Sequence, residues 1–191
     1  MTPRLILARH SISRQDRTVS SHQWTLTPEG RERCQALAQH LRPYQPAMII
    51  TSPEPKTMLT SQLIAADLNI PVEVETGLGE QRRETAPYLD SKAAFEAAIT
   101  KLLTNPDDLV FGEETGTQAR IRFEQAIQRG LTRHPDKTII ATSHGTVMAL
   151  YLAHVADLDP VAFWRKLGMP GYVVLELPDY RIAKIVHEVT T

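Results

Sequence analysis

The chain has 191 residues and a mass of 21.4 kDa, with 42% hydrophobic and 23% charged residues. These proportions are typical of a single globular domain over residues 1–191, and they exclude a disordered, collagen-like or coiled-coil chain. The net charge of -1 excludes a basic footprint over the whole chain, although residues 1–60 carry eight Lys or Arg against four Asp or Glu. We therefore expect no nucleic-acid partner and no membrane partner.

The cysteine content and the apolar runs indicate the compartment. Cys34 is the only cysteine, which excludes an intramolecular disulfide and a multi-cysteine metal site and fits a reducing compartment. The apolar run at residues 5–8 is too short for the core of a signal peptide, and the longest run, 147–153, is too short to cross a bilayer. We expect a cytoplasmic protein.

Short apolar runs predict the strands. Residues 5–8, 48–51 and 138–142 are rich in strand formers, as in strands buried on both faces of a parallel sheet. Near the end of the chain, residues 172–177 and 181–186 predict a hairpin or a strand pair at the edge of the sheet.

Helical patterns lie between the predicted strands. Thr27 followed by Pro28 predicts the start of a helix that covers 28–41. Apolar residues at helical spacing predict further helices around 59–66, 95–102, 119–127 and 146–156. Residues 76–91 lack such a pattern and are predicted to form a long functional loop. The alternation predicts an α/β fold, with three α/β/α layers around a mostly parallel sheet.

Similar polar residues follow three of the predicted strands. They are Arg9-His10-Ser11, then Ser52-Pro53 with Lys56, and then Ser143-His144-Gly145-Thr146. Ligands of open α/β sheets bind beyond the carboxyl ends of the strands, so we expect two histidines and two cations at one edge. A helix begins at the last segment, and its backbone N–H groups around Gly145 and Thr146 are expected to favour an anion.

Two imidazoles with an Arg and a Lys, without an adjacent carboxylate cluster, suit a phosphate better than a divalent metal. Phosphoryl transfer needs mainly positioning and compensation of negative charge. A neutral imidazole can attack through one ring nitrogen while the other donates to a backbone carbonyl. We therefore expect a phosphoryl site without a metal or cofactor, and a carboxyl group near its mouth as the acid for the leaving oxygen.

Five motifs carry a family resemblance, and they occur in one order along nearly the whole chain. They are Leu7-Ala8-Arg9-His10, Ser52-Pro53 with a cation three residues on, Leu78-Gly79-Glu80, Gly112-Glu113 and Ser143-His144-Gly145. In this order they resemble the histidine phosphatase superfamily, the phosphoglycerate mutase-like proteins. The resemblance implies an α/β/α fold and a metal-independent phosphohistidine intermediate.

The resemblance also implies roles for individual residues. By position, His10 resembles the nucleophile, His144 the second pocket histidine and Glu80 the proton donor. Arg9 and Lys56 resemble the cations of the phosphate pocket, and Gly145 is expected to bind the phosphate beside His144. Other acids compete with Glu80 for its role: Glu75, Glu84 and Asp90. Weaker candidates for substrate contact are His22, Arg82 and Arg83, whereas Glu113 and Glu114 are expected to serve the start of the following helix.

The chain differs from the family pattern at three positions. Ser11 stands where glycine is usual, so a positive φ there would be strained. Lys56 stands where arginine is usual, and an ammonium lacks the two-pronged grip of a guanidinium on phosphate. Asp16 stands where a polar uncharged residue is expected, and its charge would repel a phosphate.

These observations lead to one preferred function and two alternatives. We expect a phosphatase that hydrolyses a small phosphomonoester through a phosphohistidine on His10. The first alternative is phosphoryl transfer of the phosphoglycerate mutase type, and the second is a weakly active or inactive phosphate-binding protein. The natural substrate and the oligomeric state stay open.

Overall fold

A computed structural model of the chain describes residues 2–89 and 91–191. Its strands are β1 (Arg4–Arg9), β2 (Met48–Thr51), β3 (Val72–Val74), β4 (Ile139–Ser143), β5 (Tyr172–Glu176) and β6 (Arg181–Val186). They form one sheet in the order β3-β2-β4-β1-β5-β6, in which the first four strands are parallel. β5 runs antiparallel to β1, and β6 antiparallel to β5. The mostly parallel sheet and the C-terminal strand pair are confirmed, whereas β3, with three residues, was not predicted.

Helices cover both faces of the sheet. They are α1 (Pro28–Leu41), α2 (Pro55–Leu68), α3 (Lys92–Thr104), α4 (Gly116–Arg133), α5 (Gly145–Ala156) and α6 (Pro160–Lys166). α1 has the predicted bounds, because the side chain of Thr27 accepts from the N–H of Gly30 at 2.9 Å and Pro28 fits the first turn. The seven-residue α6 was not predicted; the carboxylate of Asp159 caps it.

Two hydrophobic cores follow from the alternation of side chains along the central strands. Leu5 and Leu7 of β1 pack with α3, α4, α5 and α6 on one face, and Ile6 and Ala8 pack with α1 and α2 on the other. All four side chains are fully buried. The three α/β/α layers are therefore confirmed.

The register of the parallel strands brings three chain segments to one edge. Arg9 pairs with Ser143, and Thr51 pairs with Thr142, so β1, β4 and β2 end side by side. The N–H of His10 donates to the carbonyl of Ser143 at 2.9 Å, directly beyond these pairs. None of the helices in the described residues is long and apolar enough to cross a membrane.

Candidate active site

His10 follows β1 directly and is 6% exposed. Its Nδ1 lies 2.7 Å from the carbonyl oxygen of Ser11, and because a carbonyl only accepts, Nδ1 carries the proton. Burial lowers the pKa of His10 well below its ordinary value, and the charges of His144, Lys56 and Arg9 lower it further. His10 is therefore a neutral imidazole with a lone pair on Nε2, the form that a nucleophile needs.

His144 lies beside His10, with ring centroids 5.3 Å apart. Its Nε2 is 3.0 Å from Ser52 Oγ and 3.1 Å from Glu54 Oε1. Within residues 2–89 and 91–191, the buried Nδ1 of His144 has no hydrogen-bond partner. Burial lowers the pKa of His144, while the Glu54 carboxylate acts in the opposite direction. One ring nitrogen of His144 is thus fixed, and the other is available to a ligand.

The two expected cations lie at the same edge as the histidines. Arg9 donates through Nη1 to the carbonyl of Leu167, and its buried Nε has no partner among the described residues. Burial lowers the pKa of Arg9 to about 10, so the guanidinium stays charged at neutral pH. Lys56 Nζ donates to the carbonyl of Ser21 at 2.6 Å and to Glu54 Oε2 at 2.7 Å, and burial lowers the pKa of Lys56.

Glu80 caps the N-terminus of α5. Its carboxylate accepts from the N–H groups of Thr146 and Val147, each at 3.2 Å, and lies 3.5 Å from Arg83 Nη2. Burial alone would raise the pKa of Glu80, but the charges of Arg83 and His144 and the hydrogen bond from the N–H of Gln81 outweigh it and lower the pKa to about 2. The N–H of Thr146, which we expected to face a bound anion, therefore faces a carboxylate of the chain itself.

Gly145 begins α5 directly after His144. A Cβ at this position would lie 3.2 Å from Cζ of Arg9 and 3.5 Å from Cδ1 of Trp164. The first of these distances is shorter than an ordinary van der Waals contact. Glycine, which has no Cβ, therefore lets the Arg9 guanidinium pack closely against the start of α5.

Two of the three deviations from the family pattern, Ser11 and Asp16, do not distort the site. The non-glycine residues with positive φ in the described chain are Gln45, Asn69, Asp136, Asp157 and Tyr180, so Ser11 is free of the strain considered above. The carboxylate of Asp16 accepts from the N–H and the hydroxyl of Thr18, at 2.9 and 2.6 Å, and is not part of the cavity wall.

The competing acids occupy different places. Glu84 lines the cavity and is exposed, whereas Glu75 is buried and pairs with Arg129 at 2.6 Å, outside the cavity lining. Asp90 lies outside the described residues. Of Glu75, Glu80 and Glu84, Glu80 is the one whose carboxylate pairs with Arg83 and whose charge acts on His144.

Residues 76–89 of the predicted loop are hydrogen-bonded to the segment just before α4. The prediction that Glu113 and Glu114 serve the start of this helix was wrong. The Glu113 carboxylate accepts from the N–H groups of Glu84 and Thr85, at 2.9 and 2.6 Å. The Glu114 carboxylate accepts from the N–H of Arg82 at 2.9 Å. Both acids therefore bind the loop rather than the first turn of the helix, because the loop offers unpaired backbone donors.

Two further residues hold the same loop against α4. Gly112 has a φ of +99°, and a Cβ there would lie 2.2 Å from the carbonyl oxygen of Arg82. Arg122 donates through Nη1 to the carbonyls of Gly77 and Gly79 and through Nη2 to that of Glu80, at 2.8, 3.0 and 3.0 Å. The Gly112-Glu113 motif thus fixes the position of the segment that carries Glu80.

A cavity of about 870 Å³ opens over the site. Its floor includes the predicted residues Arg9, His10, Lys56, Glu80 and His144. Its wall includes five aromatic residues: Trp24, Tyr88, Phe95, Phe111 and Trp164. Arg83 lines the cavity and stacks on Phe95, with Cζ 5.5 Å from the ring centroid, whereas Arg82 is not part of the lining. In the described residues, no group of three or more His, Cys, Asp or Glu is arranged to hold a metal.

Two residues of the site were missed by sequence reasoning. Glu54 is a buried carboxylate that contacts both Lys56 and His144, and Arg122 holds the backbone of residues 77–80. A charged residue between Pro53 and Pro55 at the start of a helix was a visible signal for Glu54. Arg122 flanks the apolar positions of the amphipathic helix α4, and its sequence neighbours gave no signal that its side chain turns toward the loop.

One family model matches most of the chain. The model of the histidine phosphatase superfamily (branch 1) matches residues 5–187. A comparison with curated proteins finds no significant match.

Solved structures share the fold at low sequence identity. A mycobacterial hydrolase is 20% identical with a TM-score of 0.77, and the match covers 100% of each chain. A mycobacterial glucosyl-3-phosphoglycerate phosphatase is 19% identical with a TM-score of 0.72, again over 100% of each chain. A phosphoserine phosphatase from Entamoeba histolytica, in complex with 3-phosphoglyceric acid, is 20% identical with a TM-score of 0.76, over 97% of this chain and 98% of that one.

Proposed function

Because the chain belongs to the histidine phosphatase superfamily, we propose that it is a phosphatase that hydrolyses a small phosphomonoester through a phosphohistidine on His10. The observation that carries the proposal is the state of His10. Its Nδ1 is bound to a carbonyl and its Nε2 is left as a lone pair, beside Arg9, Lys56 and His144. These three groups supply the positive charge and the donors that a transferring phosphoryl group requires.

The first step transfers the phosphoryl group to the enzyme. His10 Nε2 forms a bond to phosphorus, and the bond between phosphorus and the ester oxygen breaks. Glu80 is ionised at neutral pH because its pKa is about 2, so the proton for the leaving oxygen comes from the substrate. A phosphomonoester monoanion carries that proton, since its second pKa is about 6. Glu80 accepts the proton and delivers it to the leaving oxygen.

The second step releases phosphate. Glu80, again a carboxylate, takes a proton from water as the water oxygen attacks the phosphohistidine. The bond between phosphorus and Nε2 breaks, and the electron pair returns to His10. The protons balance over the two steps. Glu80 takes one proton from the substrate monoanion and gives it to the alcohol, and then takes one proton from water and passes it to the departing phosphate, which leaves Glu80 a carboxylate again.

The size of the site supports a small phosphorylated substrate. The cavity volume of about 870 Å³ lies within the range of small-molecule sites. The fold neighbours that are named phosphatases act on glucosyl-3-phosphoglycerate and phosphoserine, both small phosphomonoesters. We place the enzyme in the cytoplasm, which the single free cysteine, Cys34, supports.

The proposal is tested by turnover of an aryl phosphate in EDTA, with wild type and His10→Ala compared. We expect phosphate release by wild type, a loss of at least about 10³-fold in the variant, and a covalent acid-labile phosphoenzyme that His10→Ala lacks. Glu84→Gln is a matched control, since this exposed carboxylate lines the cavity without touching the histidines. Loss of activity in EDTA, or full activity of His10→Ala, contradicts the proposal. Isomerisation of a phosphoglycerate without phosphate release indicates a mutase instead.

A further inference from the structure

One buried carboxylate contacts most of the proposed machinery and has no role in the two steps above. Glu54 is 7% exposed and lies directly before α2. Its Oε1 is 3.1 Å from His144 Nε2 and 3.3 Å from His22 Nδ1, and it accepts from the N–H of Glu80 at 2.8 Å. Its Oε2 accepts from Lys56 Nζ at 2.7 Å. Four donors from four chain segments therefore meet at one side chain.

We propose that Glu54 is a positioning residue for phosphoryl transfer: its carboxylate fixes Nε2 of His144, so that Nδ1 is left for a phosphoryl oxygen, and anchors Lys56 at the same site. The inference rests on the proposed function. It is carried by two observations, the direct contacts of Glu54 and the buried Nδ1 of His144, which has no partner in the part of the chain that the structure describes.

A carboxylate does what a neutral side chain cannot do at this position. Burial would raise the pKa of Glu54, but the charges and hydrogen bonds of His144, His22 and Lys56 outweigh it and hold the pKa far below its ordinary value. The ionised group at 3.1 Å favours the imidazolium form of His144. Burial outweighs this effect and lowers the pKa of His144 in the free site, so the imidazolium forms when a phosphoryl group adds its negative charge beside Nδ1. In that form His144 donates from both ring nitrogens, one to Glu54 and one to the phosphoryl group.

The titratable and charged groups around His144 come from several elements. They are Lys56 and Glu54 at the start of α2, Arg9 and His10 at the end of β1, His22 before α1, and Glu80 and Arg83 in the loop after β3. Among these residues the negative groups are Glu54 and Glu80, and the carboxylate of Glu80 is bound by the N-terminus of α5. Glu54 is therefore the anion that pairs with His144 directly.

Glu54→Gln removes the negative charge of this side chain and keeps its shape, so it tests the effect of the charge. The amide oxygen can take the place of Oε1 and keep its three donors, and the amide nitrogen then faces the ammonium of Lys56. Two donors face each other there, so Lys56 loses its anchor while the fold of the pocket is kept. The variant thus removes one negative charge and one hydrogen bond to Lys56.

The closing experiment measures the histidines directly and then the kinetics. Long-range proton–nitrogen NMR should place the proton of neutral His144 on Nε2 in the wild type. In Glu54→Gln the pKa of His144 should fall by about 1–3 units, and the alkaline limb of kcat/KM should move to lower pH. We expect kcat to fall about 10²-fold with little rise in KM, because the pocket becomes more positive.

Glu75→Gln is the matched control. This carboxylate is 6% exposed and pairs with Arg129 and Arg133, so its loss should lower stability without moving the pH profile. An unchanged pKa of His144 and an unchanged profile in Glu54→Gln overturn the inference. If that variant fails to fold, a proton on Nδ1 of neutral wild-type His144 overturns it. Absence of His10-dependent turnover in the wild type refutes the proposed function alone, since the NMR result still decides the role of Glu54.

Discussion

Replacement of Glu80 by Gln should cost stability in a manner that depends on pH. The pKa of the buried carboxylate falls from 4.5 to about 2 on folding, and at 1.36 kcal/mol per unit this corresponds to about 3 kcal/mol. A folded-state pKa below the unfolded value means that this contribution is complete above about pH 4.5 and is lost as the pH falls through 2. The amide oxygen of Gln still accepts one N–H of α5, so we expect a net loss of about 2 kcal/mol at pH 7.

Urea denaturation of wild type and Glu80→Gln at pH 7, 4 and 2.5 measures this loss. The difference in the free energy of unfolding should shrink steadily as the pH falls. Glu84→Gln, an exposed change in the same loop, should show no difference at any pH. A difference in the free energy of unfolding for Glu80→Gln that stays constant from pH 7 to 2.5 would refute the reasoning. Such a difference would come from packing or hydrogen bonds that do not depend on the charge of Glu80.

Three further results follow from the site. Gly112→Ala should destabilise the protein by about 1–3 kcal/mol in urea denaturation, because its φ of +99° and the nearby Arg82 carbonyl exclude a side chain; an unchanged midpoint would show that the loop shifts freely. The lowered pKa of His10 predicts that the rate of phosphoenzyme formation, measured by rapid quench and divided by the monoanionic fraction of the substrate, stays nearly constant from pH 7 to 5.5; an ordinary histidine would lose about tenfold of its neutral form over this range. Trp164→Ala should raise KM for an aryl phosphate up to about tenfold and leave inhibition by inorganic phosphate unchanged, since Trp164 lines the cavity wall; an equal loss for both ligands would place the ring at the phosphoryl site.

The central architecture could be predicted because its signals are local. Apolar runs marked β1, β2 and β4, and the Thr27-Pro28 cap marked the start of α1. The short elements β3 and α6 escaped because three or seven residues hold too little periodicity. Their formation depends on neighbours that the sheet supplies.

The part of the candidate site that directly follows the strands could be predicted from the order of elements along the chain. Residues that directly follow strands, such as His10 and His144, could be placed at one edge because parallel strands end together. The partners of side chains could not be predicted, because they depend on tertiary contacts. Thus Glu54 was missed, and Glu113 and Glu114 were assigned to a helix although they bind the loop.

The position of β4 between β1 and β2 has a consequence for folding. β4 follows β2 by almost half of the chain, yet it forms the centre of the parallel strands and separates the two earlier ones. Until β4 is inserted, β1 and β2 have no common neighbour, so His10 at the end of β1 is not held near Lys56 of α2. Pairings of such long range form slowly, because the chain must close a long loop before they gain stability. Recovery of phosphatase activity during refolding should therefore report the completed native sheet, and an N-terminal fragment that ends before β4 should be inactive.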